Sequence, residues 1–271
     1  MLKLGIRAHD IGRMTPFELA EEAKSFGFDG VQLVFKKALT HPVNFNNLNE
    51  IKNAFKKPKI MMLGAYFNMV HPDLKVVTDG IDYFKKHLEI SYALGAKYVG
   101  TETGSLMGSP WGYVNENHAP KTLEKVIEIV KDLSRTAEKY HAYIALEGAY
   151  AHVAYSPKIM KKIIDQVQSP NLKVTVDLFN FLHIGNYKKR MAIFDEAISL
   201  LKDHIVIFHL KDFIVDHDAL VQVGLGQGLM DYKTIIKKIK ESCPNAYLIF
   251  EGVVGDDIKT SYKLIKKLLK E

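Results

Sequence analysis

Four apolar runs in this chain stop at a side chain that can bind a cation or carry a proton. Residues 142–146 (AYIAL) run into Glu147 and residues 172–176 (LKVTV) into Asp177. Residues 204–208 (HIVIF) run into His209 and residues 246–250 (AYLIF) into Glu251. Such a run is how a buried strand reads when its carboxyl end opens into a polar site. A single strand-end carboxylate is ordinarily just solvated. Three carboxylates and an imidazole brought together would repel and desolvate badly if left unpaired. A divalent cation between them resolves the conflict. An oxygen-rich shell with one nitrogen favours Mn²⁺ or Mg²⁺, and Zn²⁺, Co²⁺ or Fe²⁺ also fit.

The elements that would position these groups follow from the local pattern. Residues 2–7 read as a first strand. Thr15 then caps a helix, with Pro16 at its first position, Glu18 completing a capping box and Gly27 stopping it. Further strands are expected at 30–35, 60–67 and 96–100, with helices at 48–55 and 78–94 and an irregular stretch at 36–47. Helices at 119–140, from Ser156-Pro157, at 190–201, at 231–241 and at the end of the chain separate the four later strands. Two long loops, 105–115 and 213–230, interrupt the pattern, and loops of that length tend to be functional.

Eight strand-then-helix units each supply the crossover that parallel strands need. In about 250 residues this predicts a (β/α)8 TIM barrel, with a single α/β domain over residues 1–271. An open doubly wound sheet is the alternative. In a barrel the carboxyl strand ends share one mouth, which would bring Glu147, Asp177, His209 and Glu251 together.

The bulk composition narrows the function classes. With 47% hydrophobic and 25% charged residues, the chain reads as an ordinary globular protein. No apolar run approaches the roughly 20 residues of a membrane span, so no membrane association is expected. Cys243 is the only cysteine, which rules out an internal disulfide and agrees with a cytoplasmic location. The net charge of +6 comes largely from lysines on helical stretches such as 233–240 and 259–270, so it does not call for a nucleic-acid partner. No Ser/His/Asp triad or Cys/His pair stands out.

The chain resembles the xylose isomerase-like TIM barrels, which include sugar-phosphate isomerases and epimerases, inosose dehydratases and endonuclease IV. The carriers are Ala145-Leu146-Glu147, Val176-Asp177-Leu178-Phe179-Asn180, Phe208-His209-Leu210-Lys211-Asp212, Gly224-Leu225-Gly226-Gln227-Gly228 with Asp231, and Phe250-Glu251-Gly252. The resemblance implies that Glu147, Asp177, His209 and Glu251 bind the metal. It further implies that Glu147 and Glu251 move a proton next to the carbonyl of a sugar or sugar phosphate, through an enediolate. An inosose-dehydratase-like lyase would use the same groups. Two departures bear on substrate: Asn180 stands where many members have histidine, with His183 the nearest, and Lys211 is found where free-ketose epimerases often have arginine nearby. An endonuclease IV-like trinuclear site is disfavoured, because Asn180 and Leu220 occupy two ligand positions. Only His217 is near enough to replace either.

Other residues are expected near the substrate. Glu102 ends a strand and could bond substrate hydroxyls, and His71 and His9 follow strands. Trp111, Tyr66, Phe179 and Tyr150 could form an apolar wall against a sugar. Lys211 could bind a hydroxyl or phosphate while Asp212 holds the loop, and the Gly224–228 bend could receive a phosphate. The loop aromatics also leave room for a homo-oligomer.

Overall fold

The computed structural model describes residues 2–271. The chain starts with β1 (Lys3–Arg7), α1 (Ala8–Ile11), α2 (Pro16–Ser25) and β2 (Gly30–Leu33). It continues through α3 (Phe35–Ala38), α4 (Asn49–Ala54), β3 (Lys59–Gly64), α5 (Leu74–Ser91) and β4 (Tyr98–Glu102). Next come α6 (Pro120–Lys139), β5 (Tyr143–Glu147), α7 (Pro157–Val167), β6 (Leu172–Asp177), α8 (Arg190–Leu201) and β7 (Ile205–Leu210). The last part holds β8 (Asp212–Asp216), β9 (Ala219–Val223), α9 (Tyr232–Ser242), β10 (Tyr247–Phe250) and α10 (Asp257–Leu268). Strands β1–β7 and β10 are parallel and close in the order β1-β10-β7-β6-β5-β4-β3-β2. The chain is thus a (β/α)8 barrel, and the open-sheet alternative is excluded by the pairing of β1 with both β2 and β10.

The strand pleat sorts side chains into layers. Outward-facing residues such as Phe208, Leu248 and Phe250 are buried under the helices. Inward-facing residues stack along the barrel axis. Tyr98, Tyr143 and Tyr247 make an aromatic floor, with Tyr98 at 6.0 Å from each of the other two ring centroids. Above it lie Met62, Ala145, Ile207 and Ile249. Gly100 belongs to this layer because a Cβ there would sit 2.5 Å from Met62 Sδ. Two residues further along the same strands come Glu102, Glu147, His209 and Glu251. The period of two thus turns the polar strand ends to the inside of the mouth.

The capping box forms as the sequence implies, Glu18 N donating to Thr15 Oγ1 and Thr15 N to Glu18 Oε2. Several boundaries differ from expectation; the third strand, for one, ends at Gly64 and not at residue 67. The second strand stops at Leu33, and Phe35–Ala38 turns into a single helical turn. The helix expected from residue 78 starts at Leu74, because Asp73 accepts from Lys75 N at 2.8 Å and caps it. The expected loop 213–230 contains an antiparallel ribbon, β8 with β9, whose turn is His217-Asp218 with His217 at φ 51. No described helix is long and apolar enough to cross a membrane.

Candidate metal centre

Glu147 closes β5, Asp177 closes β6, His209 is the penultimate residue of β7, and Glu251 follows β10. One ligand atom from each lies within 4.8 Å of every other, and all four residues are buried. His209 Nδ1 faces the carboxylates, at 2.8 Å from Glu251 Oε2, 3.3 Å from Glu147 Oε1 and 3.9 Å from Asp177 Oδ2. Lys211, two residues on and therefore on the same face, places Nζ 2.9 Å from both Asp177 Oδ2 and Glu251 Oε1. Arg7 Nη1 donates to that same Glu251 Oε1 at 2.7 Å. Asp10 in turn accepts from Arg7 Nε and Nη2, and its Oδ2 accepts from Gly252 N at 2.6 Å.

Burial and charge set the protonation of this cluster. Burial works against a charged imidazole, but Glu147 and Glu251 outweigh it and raise the His209 pKa to about 10. Burial raises Asp177 to about 6 despite the pull of Lys211. Burial also works against a charged Glu251, yet Lys211 and His209 hold it well below the usual carboxylate range. Glu102, in register with Glu147, is pushed well above that range by burial and then by Glu147 and Glu251. An ammonium and an imidazolium therefore face the three carboxylates. A dication would fit: Asp177 Oδ2 and Glu251 Oε2 are buried without a properly aligned hydrogen bond, and three carboxylates with one imidazole suit a hard or borderline metal.

Asn180 joins the cluster from the turn after β6. Its Nδ2 donates to Glu147 Oε1 at 2.6 Å and its Oδ1 accepts from Lys211 Nζ at 3.0 Å, so these partners fix the amide's orientation. The centre opens into a cavity of about 320 Å³. Glu102, Trp111 and Glu147 line it from the β4–β5 side, and Arg7, His9, Gln32 and Lys37 from the β1–β2 side. Tyr66 and Glu251 also reach it.

A family model described as Xylose isomerase-like TIM barrel matches residues 20–268. The chain belongs to the xylose isomerase-like TIM barrel family. A search of curated proteins finds no match in sequence. Solved structures of this family's fold are similar at low identity. A xylose isomerase-like TIM barrel protein from Mycobacterium smegmatis, in complex with magnesium, is 15% identical with a TM-score of 0.74, over 99% of this chain and 95% of that one. The apo 3-keto-D-glucoside 4-epimerase YcjR from E. coli is 15% identical with a TM-score of 0.74 over the full length of both chains. The IOLI protein with a bound zinc atom is 20% identical with a TM-score of 0.73, over 98% and 96%. At these identities the likeness shows the xylose isomerase-like fold.

The structure brings most of the expected site residues together and leaves His183, His71, Tyr150 and Phe179 outside the cavity lining. Glu102 and Trp111 line the cavity, with Glu102 Oε1 3.7 Å from His152 Nδ1 and Trp111 packed edge-on against His152 at 5.5 Å. His183 does not reach it: the ring stacks on Tyr150 at 3.9 Å and its Nδ1 accepts from Gly185 N. His71 is used in a turn, where Nδ1 accepts from Asp73 N at 3.0 Å. His217 and Asp216 pair at the exposed tip of the β8–β9 ribbon. The phosphate reading of the glycine bend is overturned, because Gly226 N and Gly228 N already donate to Asp212 Oδ2. Arg7, Asp10, Gln32 and Lys37 were not foreseen. Arg7 ends an apolar strand much as Glu147 and Glu251 do, and Gln32 is a lone amide inside the run Val31–Val34, which were the available signals.

Proposed function

We propose that the chain is a divalent-metal-dependent isomerase or epimerase that moves a proton next to the carbonyl of a sugar or sugar phosphate, through an enediolate. The observation that carries this reading is the convergence of Glu147, Asp177, His209 and Glu251 within 4.8 Å at the wall of an open cavity. Those four residues would hold the metal. When bound, Mn²⁺ or Mg²⁺ would supply positive charge against the oxyanion that develops as the carbon loses its proton. Membership of the xylose isomerase-like family and the likeness to a sugar epimerase support the reading.

Glu147 and Glu251 are the proposed proton-transfer pair, reaching the mouth from strands separated by β6 and β7. They are not equivalent. Glu251 Oε1 is held by Arg7 and Lys211, which fixes the carboxylate and lowers its proton affinity. Among the described residues, Glu147 makes hydrogen bonds through Oε1 alone, leaving Oε2 free to meet a substrate C–H. Glu147 is therefore assigned the abstraction and Glu251 the opposite face. Asn180 orients Glu147, and Trp111 shields the cavity from water. Glu102, whose carboxyl burial and then Glu147 and Glu251 push toward the protonated form, would donate to a substrate hydroxyl.

The raised proton affinity of Glu102 favours a second reading, because a protonated carboxyl can assist departure of a hydroxyl in a dehydratase. A screen of ketoses, aldoses, inososes and their phosphates with added Mn²⁺, read by NMR, separates the two. An isomer of unchanged mass supports the first reading and a product lighter by water the second. Glu147→Gln should abolish either conversion. Turnover that survives this substitution with the metal still bound would sink the assignment.

A further inference from the structure

The cavity is electrostatically divided. Its β4–β5 side presents Glu102 and Glu147, while its β1–β2 side presents Arg7, His9, Gln32 and Lys37, with Glu251 at the seam between β10 and β1 bonded to Arg7. The first side is answered by the metal of the proposed function. The second has donors left over.

Arg7 carries five N–H groups. Nε and one Nη2 hydrogen go to Asp10, and one Nη1 hydrogen goes to Glu251. One N–H on each terminal nitrogen remains to meet an oxyanion. Lys37, at the end of α3, makes no ion pair among the described residues and lies close enough to act on His9 together with Arg7. His9 stays uncharged at neutral pH, with its pKa lowered to about 4 by burial and then by Arg7 and Lys37, and its buried Nδ1 has no partner. Gln32 is fully buried on the same wall. Its Nε2 donates to Tyr66 Oη at 2.8 Å, and its Oε1 is unpartnered. A buried amide with a spare acceptor is destabilising unless something donates to it.

We propose that the substrate carries an oxyanion, a phosphate or a carboxylate, which docks on Arg7, His9 and Lys37 while a neighbouring hydroxyl donates to Gln32. This rests on the reading of the cavity as a sugar site and adds the charge class of that sugar. A cavity of about 320 Å³ takes a five- or six-carbon sugar with one such group. The metal would hold the carbonyl end, and the β1–β2 wall the anionic end.

The test reads binding, so that it does not depend on turnover. Trp111 is the only tryptophan and lines the cavity, which makes its fluorescence a local reporter. D-fructose, D-fructose 6-phosphate and D-fructuronate are titrated into the Mg²⁺-loaded and metal-free protein. At least one anionic probe should bind about tenfold more tightly than fructose, and which one does so names the anion. Lys37→Met and His9→Gln should cut that preference to about twofold. Lys37 is exposed, so its replacement leaves the fold intact. Equal affinity for neutral and anionic probes, or no binding of any anion, would overturn the proposal. So would a preference that survives Lys37→Met but vanishes without metal, which would put the anion on the metal. Anion binding with no conversion of any sugar would refute the isomerase reading and leave this one standing.

Discussion

Arg7 at the end of β1 bonds to Glu251 Oε1 at 2.7 Å, across the seam where the first and last barrel strands meet. Lys211 occupies the same oxygen at 2.9 Å, so Oε2 is the atom left toward His209 and a metal. Arg7 is itself held by Asp10, which is 9% exposed and has no other cation beside it among the described residues. Arg7→Met should weaken Mn²⁺ binding by roughly 10–100-fold, the usual loss when an outer support of a ligand is removed. It should also lower the melting temperature, because Asp10 is left buried and unpaired. Arg7→Lys should recover part of the metal affinity. Calorimetric titration with Mn²⁺ checks this, and an unchanged affinity in Arg7→Met would mean the bond to Glu251 is incidental.

Metal should stabilise the fold, since the ligands converge only when the barrel is closed. At a free metal concentration of about 100 Kd the gain is roughly 2.7 kcal/mol, or some 5–10 °C in a chain of this size. Asp177→Asn should abolish most of that shift. Asp177 Oδ2 is buried with Lys211 Nζ as its close cation, and an amide in its place supplies no charge to the metal. Thermal melts with and without Mn²⁺ or Mg²⁺ measure it. An equal shift in the variant would exclude Asp177 as a ligand.

The barrel and the convergence of Glu147, Asp177, His209 and Glu251 were legible because both depend on short-range pattern. An apolar strand of five residues followed by Glu, Asp or His states where the strand ends and which way its last side chain faces. Arg7 and Gln32 were not legible for the opposite reason. Arg7 gains its meaning from Glu251, 244 residues away, and that neighbour exists only because the barrel closes. His183 misled because a histidine three residues past Asn180 could reach the mouth, and what decides its position is stacking on Tyr150 from another loop. The β8–β9 ribbon was missed because its strands are five residues each and its tip, Asp216-His217-Asp218, reads as loop.

Asp212 organises the segment after that ribbon. It is fully buried and accepts from four backbone amides: Phe213 N and Met230 N on Oδ1, Gly226 N and Gly228 N on Oδ2. Gly228 fits there because a Cβ would meet Phe213 O and the Asp212 carboxylate. Asp212→Asn sets an amide N–H₂ against two donors and should cost about 3 kcal/mol, a fall in melting temperature of roughly 5–10 °C. Metal stoichiometry should be preserved, since Asp212 points away from the ligands. A melting temperature within a degree of the parent would mean the glycine segment holds itself.

His87 gives the fold a defined pH dependence far from the metal ligands. It is fully buried on α5, packed among Phe35, Phe45 and Tyr83 in tilted and edge-on contacts, with Nδ1 on Tyr83 O at 2.8 Å and Nε2 unpartnered. Burial lowers its pKa from 6.5 to about 4; the Tyr83 carbonyl opposes this and Lys36 adds to it. The folded state thus resists a proton that the unfolded chain accepts from about pH 6.5 downward. Stability from this group is complete above pH 6.5 and is lost as the pH falls toward 4. The loss approaches about 1.4 kcal/mol per pH unit within that window, or roughly 3 kcal/mol in all. His9 and His152, also lowered to about 4, act in the same direction. Urea melts between pH 7 and 4.5 should show a smaller decline for His87→Leu than for the parent. Identical slopes would mean that His87 takes up its proton without unfolding.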